Sequence, residues 1–204
     1  HQAPYHGDTM HDMNAMTKYY EEWWENPRDP RGPVFAKLNR VISERIPRGD
    51  EKRALDLGSG AGSIIRILLE KGYDTTGVEA GSVAVERLRA HFPAAHIIQA
   101  DLNQWEPNGT YDLVTMIELI QNFTPDELRV LLAKVRKITP RLFISANTAN
   151  SLQGKWVTWR GFKAPFVHLY RVRDFENILR EAGFEHITYR TGVGFLMPIT
   201  LLNN

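Results

Sequence analysis

An acidic residue followed by alternating glycines is the part of the sequence best suited to hold a ligand. Asp56 opens the stretch DLGSGAG, in which Gly58, Gly60 and Gly62 leave no Cβ between the backbone and a bound molecule. A phosphate-binding P-loop would end in Gly-Lys-Ser/Thr, which this loop does not have. A dinucleotide loop reads G-x-G-x-x-G, which this stretch does not match, and Asp56 would place a negative charge near a diphosphate. The stretch therefore favours a positively charged ligand without phosphate.

A second acid follows at the spacing expected for a ligand that contains ribose. Glu79 ends the predicted strand DTTGVE, and a carboxylate at this position can accept hydrogen bonds from both ribose hydroxyls. The alternative is an acid exposed in a loop. S-adenosylmethionine combines a ribose with a sulfonium and an ammonium group and carries no phosphate. It is therefore the ligand that the acids and glycines favour.

Strand-like and helix-like segments alternate along the chain from residue 53 onward. RALDL, DTTGVE, AHIIQA, YDLVTMI and RLFISA read as strands, with helical patterns such as SIIRILLEKG and TPDELRVLLAKVRKI between them. EHITYRT and FLMPITLL are two further candidate strands. This alternation predicts an α/β fold, a mostly parallel seven-stranded sheet with helices on both faces. Residues 1–50 are expected to form an N-terminal helical cap, and residues 51–204 the ligand-binding domain.

Over residues 53 to 190 the sequence resembles the class I, Rossmann-like S-adenosylmethionine-dependent methyltransferases. LDLGSGAGS matches the acid and G-x-G-x-G loop of that family, and YDLVTMIELIQNF is similar to its segment after the fourth strand. The resemblance implies a Rossmann-like fold and an enzyme that transfers a methyl group from S-adenosylmethionine. The departure is Gln121-Asn122, which stands where many relatives have Glu-His, so a histidine base is not expected at that place.

The resemblance also implies where the cofactor binds. Asp56 and the glycine loop would hold its methionine end, and Asp101 would accept a hydrogen bond from the adenine amino group. The alternative for Asp101 is a turn-forming role. Met116, Ile117 and Glu118 are expected to line the pocket after the fourth strand. The full set of expected cofactor-binding residues is Asp56, Gly58, Ser59, Gly60, Glu79, Ala80, Asp101, Leu102, Ile117 and, as a lid, Tyr20.

Methyl transfer needs positioning more than acid–base groups, so the acceptor site leaves a weak signature in the sequence. Aromatic residues concentrate near the N-terminus and in the long segment between the fifth strand and the last long helix, which indicates a planar or apolar acceptor. His168 in that segment is the predicted general base, because histidine titrates near neutral pH. The alternative is that these side chains only pack. The candidate acceptor-binding residues are Trp24, Trp156, Trp159, Arg160 and Tyr170.

Composition and charge narrow the possible partners. A formal net charge of +1 gives no general reason to expect nucleic acid, and no apolar run reaches the roughly 18 residues of a membrane span. The chain has no cysteine, and no metal site is predicted. A cytoplasmic methyltransferase acting on oxygen of a small molecule is the leading hypothesis, and the oligomeric state is not indicated. RNA or protein methylation and a nicotinamide-dependent oxidoreductase are the alternatives.

Overall fold

A computed structural model describes residues 32–146, 168–185, 187–190 and 199–203 of the chain. The helices of this part are α1 (Gly32–Arg45), α2 (Ser63–Glu70), α3 (Ser82–His91), α4 (Pro125–Ile138) and α5 (Val172–Glu181). The strands are β1 (Arg53–Leu57), β2 (Asp74–Glu79), β3 (His96–Gln99), β4 (Leu113–Ile117), β5 (Arg141–Ser145), β6 (Ile187–Arg190) and β7 (Ile199–Asn203). A one-turn 3₁₀ helix, Ile120–Asn122, lies between β4 and α4.

The strands form one sheet in the order β3-β2-β1-β4-β5-β7-β6. Strands β1 to β5 pair in parallel, whereas β7 pairs antiparallel with both β5 and β6. Parallel neighbours require crossover connections, and helices supply them here, as the alternating sequence pattern predicts. The chain thus has the expected α/β, Rossmann-like architecture. The order reverses direction between β1 and β4, and open sheets of this kind bind ligands at such a point.

Strand β1 divides the interior into two cores, because successive side chains point to opposite faces of a sheet. Leu55 and Leu57 join the cluster that α4 and α5 cover, whereas Ala54 joins the cluster that contains residues of α1 and α2. Asp56 follows Leu55 and so projects to the same face as Ala54. Asp56 is thus an acid at a position where a strand that is covered on both faces normally has an apolar residue.

Helix α1 packs directly onto the second of these cores. Leu38, Ile42 and Ile46 are buried and cluster with Leu68 of α2 and Phe143 of β5, as their helical spacing predicts. Residues 1–31 of the predicted cap, including Tyr20 and Trp24, lie outside the described residues. Within the described parts of the chain, no helix combines the length and the apolar character required to cross a membrane.

Helix α4 begins with a capping box. The Glu127 amide donates to Oγ1 of Thr124 at 3.3 Å, and Oε2 of Glu127 accepts from the Thr124 amide at 2.7 Å. Pro125 takes the first helical position, where an N–H would have no partner. These reciprocal bonds satisfy amides that the helix leaves unpaired, and they fix where the chain turns from the 3₁₀ helix into α4.

Replacing Thr124 by alanine removes the side-chain acceptor of this box. We expect Thr124→Ala to lower the free energy of unfolding by about 1 kcal/mol, measured by urea denaturation followed by circular dichroism. Thr124→Ser keeps the hydroxyl and is the matched control. Equal stability of the alanine and serine variants would contradict the role given to this cap.

Candidate functional site

The five parallel strands bring a set of polar and small residues to one edge of the sheet. Gly58 follows β1, Glu79 ends β2, Asp101 comes shortly after β3, Glu118 follows β4 and Ala146 follows β5. Because these strands run in the same direction, their carboxyl ends share that edge. Residues selected from sequence spacing therefore lie together in the fold.

The glycine loop after β1 adopts backbone conformations that favour glycine. Gly58, Gly60 and Gly62 have φ angles of 72°, 48° and 80°, in the left-handed region. At Gly58 an added Cβ would also lie 2.6 Å from a methyl carbon of Leu119, the second residue after β4. Gly58 thus lets the loop after β1 and the segment after the paired strand β4 pack closely against each other.

The Glu79 carboxylate connects this loop to the end of β2. Oε2 accepts a hydrogen bond from the Gly60 amide at 2.9 Å, and Oε1 accepts from the amides of Ala80 and Gly81 at 2.8 and 3.0 Å. A carboxylate has about four acceptor positions, so three of them are in use. The glycine loop and the β2 turn are consequently held in a fixed relation by one side chain.

Asp56 is a buried acid, with 1% of its surface exposed. The Thr115 hydroxyl on β4 donates to its Oδ1 at 2.7 Å, whereas Oδ2 has no hydrogen-bond partner among the described residues. Burial raises the pKa of Asp56 to about 7, although the bond from Thr115 acts in the opposite direction. A buried acceptor without a partner is costly, so Oδ2 fits a ligand that carries a hydrogen-bond donor or a positive charge.

Two predicted loop residues act through hydrogen bonds that the sequence did not indicate. Ser59 is buried, and its hydroxyl donates to the carbonyl oxygen of Asp56 at 3.1 Å, so this side chain stabilises the loop from within. Ala80 contributes its amide to Glu79. Ser59 lies in the glycine loop and Ala80 follows β2, and their cofactor-binding role stays a prediction.

Asp101 forms a turn in this structure. Its Oδ1 accepts from the Asn103 amide at 2.9 Å, and its carbonyl oxygen accepts from the Trp105 amide at 2.8 Å. This is the turn-forming alternative stated above, and one carboxylate oxygen is occupied by it. Asp101 is half-buried and Leu102 is buried, so the turn has a fixed place at the end of β3. The adenine-binding role of both residues stays a prediction.

The segment after β4 contains a second acid with a raised pKa, the half-buried Glu118. Glu118 has a φ of 53°, unusual for a residue other than glycine, and its amide donates to the Ser145 carbonyl oxygen at 2.7 Å. Burial raises the pKa of Glu118 to about 8. Strained backbone of this kind concentrates at ligand sites. Ile117 ends β4, and this half-buried side chain packs against the core that contains residues of α1 and α2. The cofactor-lining role of Ile117 and Glu118 stays a prediction.

Two residues of the predicted acceptor site, the proposed base His168 and the acceptor candidate Tyr170, lie within the described part of the chain. The His168 amide donates to the Gln121 carbonyl oxygen at 2.7 Å, which places His168 beside the segment after β4. Tyr170 is buried, and its hydroxyl donates to the Phe123 carbonyl oxygen at 2.7 Å. Burial raises the pKa of Tyr170 above its usual range. Tyr170 therefore packs into the core, in line with the packing alternative. Trp156, Trp159 and Arg160 lie outside the described residues.

Sequence reasoning missed three polar residues near this edge. Thr115, Gln121 and Ser145 are buried, and the side-chain atoms Oε1 of Gln121 and Oγ of Ser145 have no hydrogen-bond partner within the described residues. The available signal was a polar residue at a strand position where both neighbours are apolar, as in VTM of β4. Among the described residues no cluster of three or more histidine, cysteine, aspartate or glutamate side chains could hold a metal ion.

Comparison with known proteins identifies the family. A family described as a methyltransferase domain matches residues 31–189, which is more than half of the chain. The ubiquinone biosynthesis O-methyltransferase of Vibrio campbellii is 28% identical over 153 residues, covering 68% of this chain and 63% of that protein. The chain thus spans somewhat less than two thirds of the length of this curated relative.

Two solved structures share the fold at low sequence identity. A mitomycin 7-O-methyltransferase, MmcR, superimposes with a TM-score of 0.71 at 16% identity, covering 95% of this chain and 59% of that one. A TehB-like S-adenosylmethionine-dependent methyltransferase from Corynebacterium glutamicum superimposes with a TM-score of 0.63 at 18% identity, covering 93% and 98%. The family match leaves no support for the nicotinamide alternative. The chain belongs to the Rossmann-like S-adenosylmethionine-dependent methyltransferases.

Proposed function

We propose that this protein transfers a methyl group from S-adenosylmethionine to a hydroxyl oxygen of a small molecule. The observation that carries the proposal is the acidic edge of the sheet, where the buried Asp56 lies beside a glycine loop that lacks the signature of a phosphate site. Acids at this edge suit a cationic cofactor and disfavour a dinucleotide. The family match and the O-methyltransferase named above support the same reaction.

In this proposal the end of each strand binds a different part of the cofactor. Asp56 and the loop from Gly58 to Gly60 hold the methionine end, where Oδ2 of Asp56 is suited to a charged donor. Glu79 accepts from the ribose, and Asp101 and Leu102 accommodate the adenine. Ile117 lines the pocket after β4.

Glu79 cannot accept two ribose hydroxyls while it keeps all three of its backbone hydrogen bonds. One acceptor position is left on a carboxylate that already accepts from Gly60, Ala80 and Gly81. We therefore propose that binding of both hydroxyls replaces the bond from the Gly60 amide. The bonds from Ala80 and Gly81 to the other oxygen would keep the carboxylate oriented during this exchange.

The protein's part in the reaction is to position the acceptor, exclude water and receive a proton. S-adenosylmethionine supplies a methyl group on a sulfonium, which is already a good leaving group. An acceptor hydroxyl must lie in line with that methyl, and its proton must pass to a base. His168 is the proposed base, because its backbone is anchored to Gln121 at the edge that carries the site.

The proposed acceptor is a small planar or apolar molecule. A ubiquinone biosynthesis O-methyltransferase is among the relatives and a mitomycin 7-O-methyltransferase is among the structural neighbours. The net charge of +1 gives no general reason to expect RNA as the acceptor. The direct test is transfer of a radiolabelled methyl group from S-adenosylmethionine to a panel of aromatic and aliphatic hydroxyl compounds. Label transferred to no compound of the panel, but to tRNA or protein, would overturn the proposed acceptor class.

Removing the carboxylate of Glu79 tests its place in the cofactor pocket. We expect Glu79→Ala to weaken binding of S-adenosylmethionine by more than about 1 kcal/mol, because a charged hydrogen-bond acceptor is lost. The measurement is isothermal titration calorimetry. Glu86→Ala removes an exposed acid from the adjacent helix α3 and is the matched control. Unchanged affinity in the Glu79 variant would refute this placement of the pocket.

The raised pKa of Asp56 predicts a pH dependence of cofactor binding. With a pKa of about 7 the side chain is mostly protonated below pH 7, and a cationic ligand favours the carboxylate. Affinity for S-adenosylhomocysteine, which keeps the ammonium group, should therefore rise between pH 5.5 and 7.5 in the wild type. In Asp56→Asn the affinity should be weaker and this rise smaller. An equal rise in both proteins would assign the pH dependence to another group.

A further inference from the structure

Gln121 has a side chain whose orientation is fixed by one hydrogen bond. It belongs to the 3₁₀ helix after β4 and is buried, with 8% of its surface exposed. Its Nε2 donates to the Glu118 carbonyl oxygen at 2.6 Å. Because a carbonyl oxygen can only accept, the amide nitrogen must face it, and the amide oxygen must face away.

The amide oxygen of Gln121 is left without a partner by this arrangement. Oε1 is buried and accepts no hydrogen bond within the described residues. A buried acceptor in this condition costs free energy, so native proteins rarely keep one without a use. A non-polar side chain of similar length would have filled the same space without this cost.

The surroundings of Gln121 place it at the functional edge of the sheet. Leu119, two residues earlier, lies against Gly58 of the glycine loop, where an added Cβ would be 2.6 Å from its methyl carbon. On the other side, the Gln121 carbonyl oxygen receives the amide of His168. Gln121 therefore lies between the loop that holds the cofactor in the proposed function and the proposed base.

We propose that Gln121 determines acceptor specificity, its Oε1 accepting a hydrogen bond from an O–H or N–H group of the methyl acceptor. The inference rests on the proposed function and narrows its substrate class. The acceptor carries a second donor group besides the oxygen that is methylated. Oε1 of Gln121 presents an acceptor atom, so methyl acceptors with a donor group are preferred over those with a carboxylate at that place.

The experiment compares acceptors that differ by one donor group. Aromatic diols, with catechol as the first probe, are each paired with the analogue in which one hydroxyl is replaced by hydrogen, such as phenol. The ratio of kcat/KM within a pair is measured for the wild type, Gln121→Met and Gln121→Glu. Gln104→Met, which changes an exposed glutamine, is the matched control. Calorimetry with S-adenosylhomocysteine checks that each variant folds and binds cofactor.

We expect the wild type to prefer the diol and Gln121→Met to lower the diol-to-phenol ratio about five- to tenfold, as loss of one hydrogen bond implies. Loss of the Nε2 bond to Glu118 affects both acceptors equally and cancels in the ratio. A protonated Gln121→Glu side chain can still donate to that carbonyl and accept at its other oxygen. This variant should therefore recover the preference as the pH is lowered.

The remaining outcomes separate a failure of the role given to Gln121 from a failure of the proposed function. Methyl transfer to hydroxyl compounds with an unchanged ratio in Gln121→Met overturns the role of Gln121 and leaves the proposed function standing. If Gln121→Met does not fold, a ratio in Gln121→Glu that is independent of pH and as low as unity also overturns it. Absence of methyl transfer to every hydroxyl compound overturns the proposed function, and this inference with it.

Discussion

The carboxylate of Glu79 is the interaction on which the arrangement of the site depends. It accepts amides from the glycine loop after β1 and from the turn after β2, so two segments that are far apart in the chain share one acceptor group. The loop can take this position because Gly58 admits Leu119 from the segment after β4. Strand pairing aligns the ends of β1, β2 and β4, and the Glu79 carboxylate and Gly58 position the loops that follow them. In the proposed function the same carboxylate then binds the cofactor ribose.

Buried acids give this edge its chemical character at a cost in stability. Burial raises the pKa of Asp56 and of Glu118, because a carboxylate inside a protein loses its hydration. Thr115 offsets part of this cost at Asp56 by donating to one of the two carboxylate oxygens. Binding of a cationic ligand would offset the rest of the free energy that the Asp56 carboxylate loses with its hydration. Buried acceptors that lack a hydrogen-bond partner before the ligand binds are already oriented to bind it. They lower the stability of the fold and serve its function.

The sequence was most informative where a residue has a local reason for its position. The glycine loop and Glu79 follow from backbone freedom and spacing, and the crossover helices follow from periodicity. The hydrogen bond of Tyr170 could not be predicted from the sequence, because its hydroxyl bonds to a carbonyl oxygen 47 residues away in the chain. Thr115 and Gln121 were missed for the same reason, since their roles depend on strand pairing and on a turn that no local pattern specifies.

The most direct test of the account is whether Glu79 and the cofactor ribose interact with each other. S-adenosylhomocysteine and its 2′,3′-dideoxyribose analogue can be titrated calorimetrically into the wild type and into Glu79→Gln, which forms a double-mutant cycle. If the Glu79 carboxylate binds the ribose, loss of the hydroxyls weakens binding at least about tenfold in the wild type and about twofold or less in the variant. Equal losses in both proteins would show that the carboxylate does not bind the ribose and would contradict the central claim.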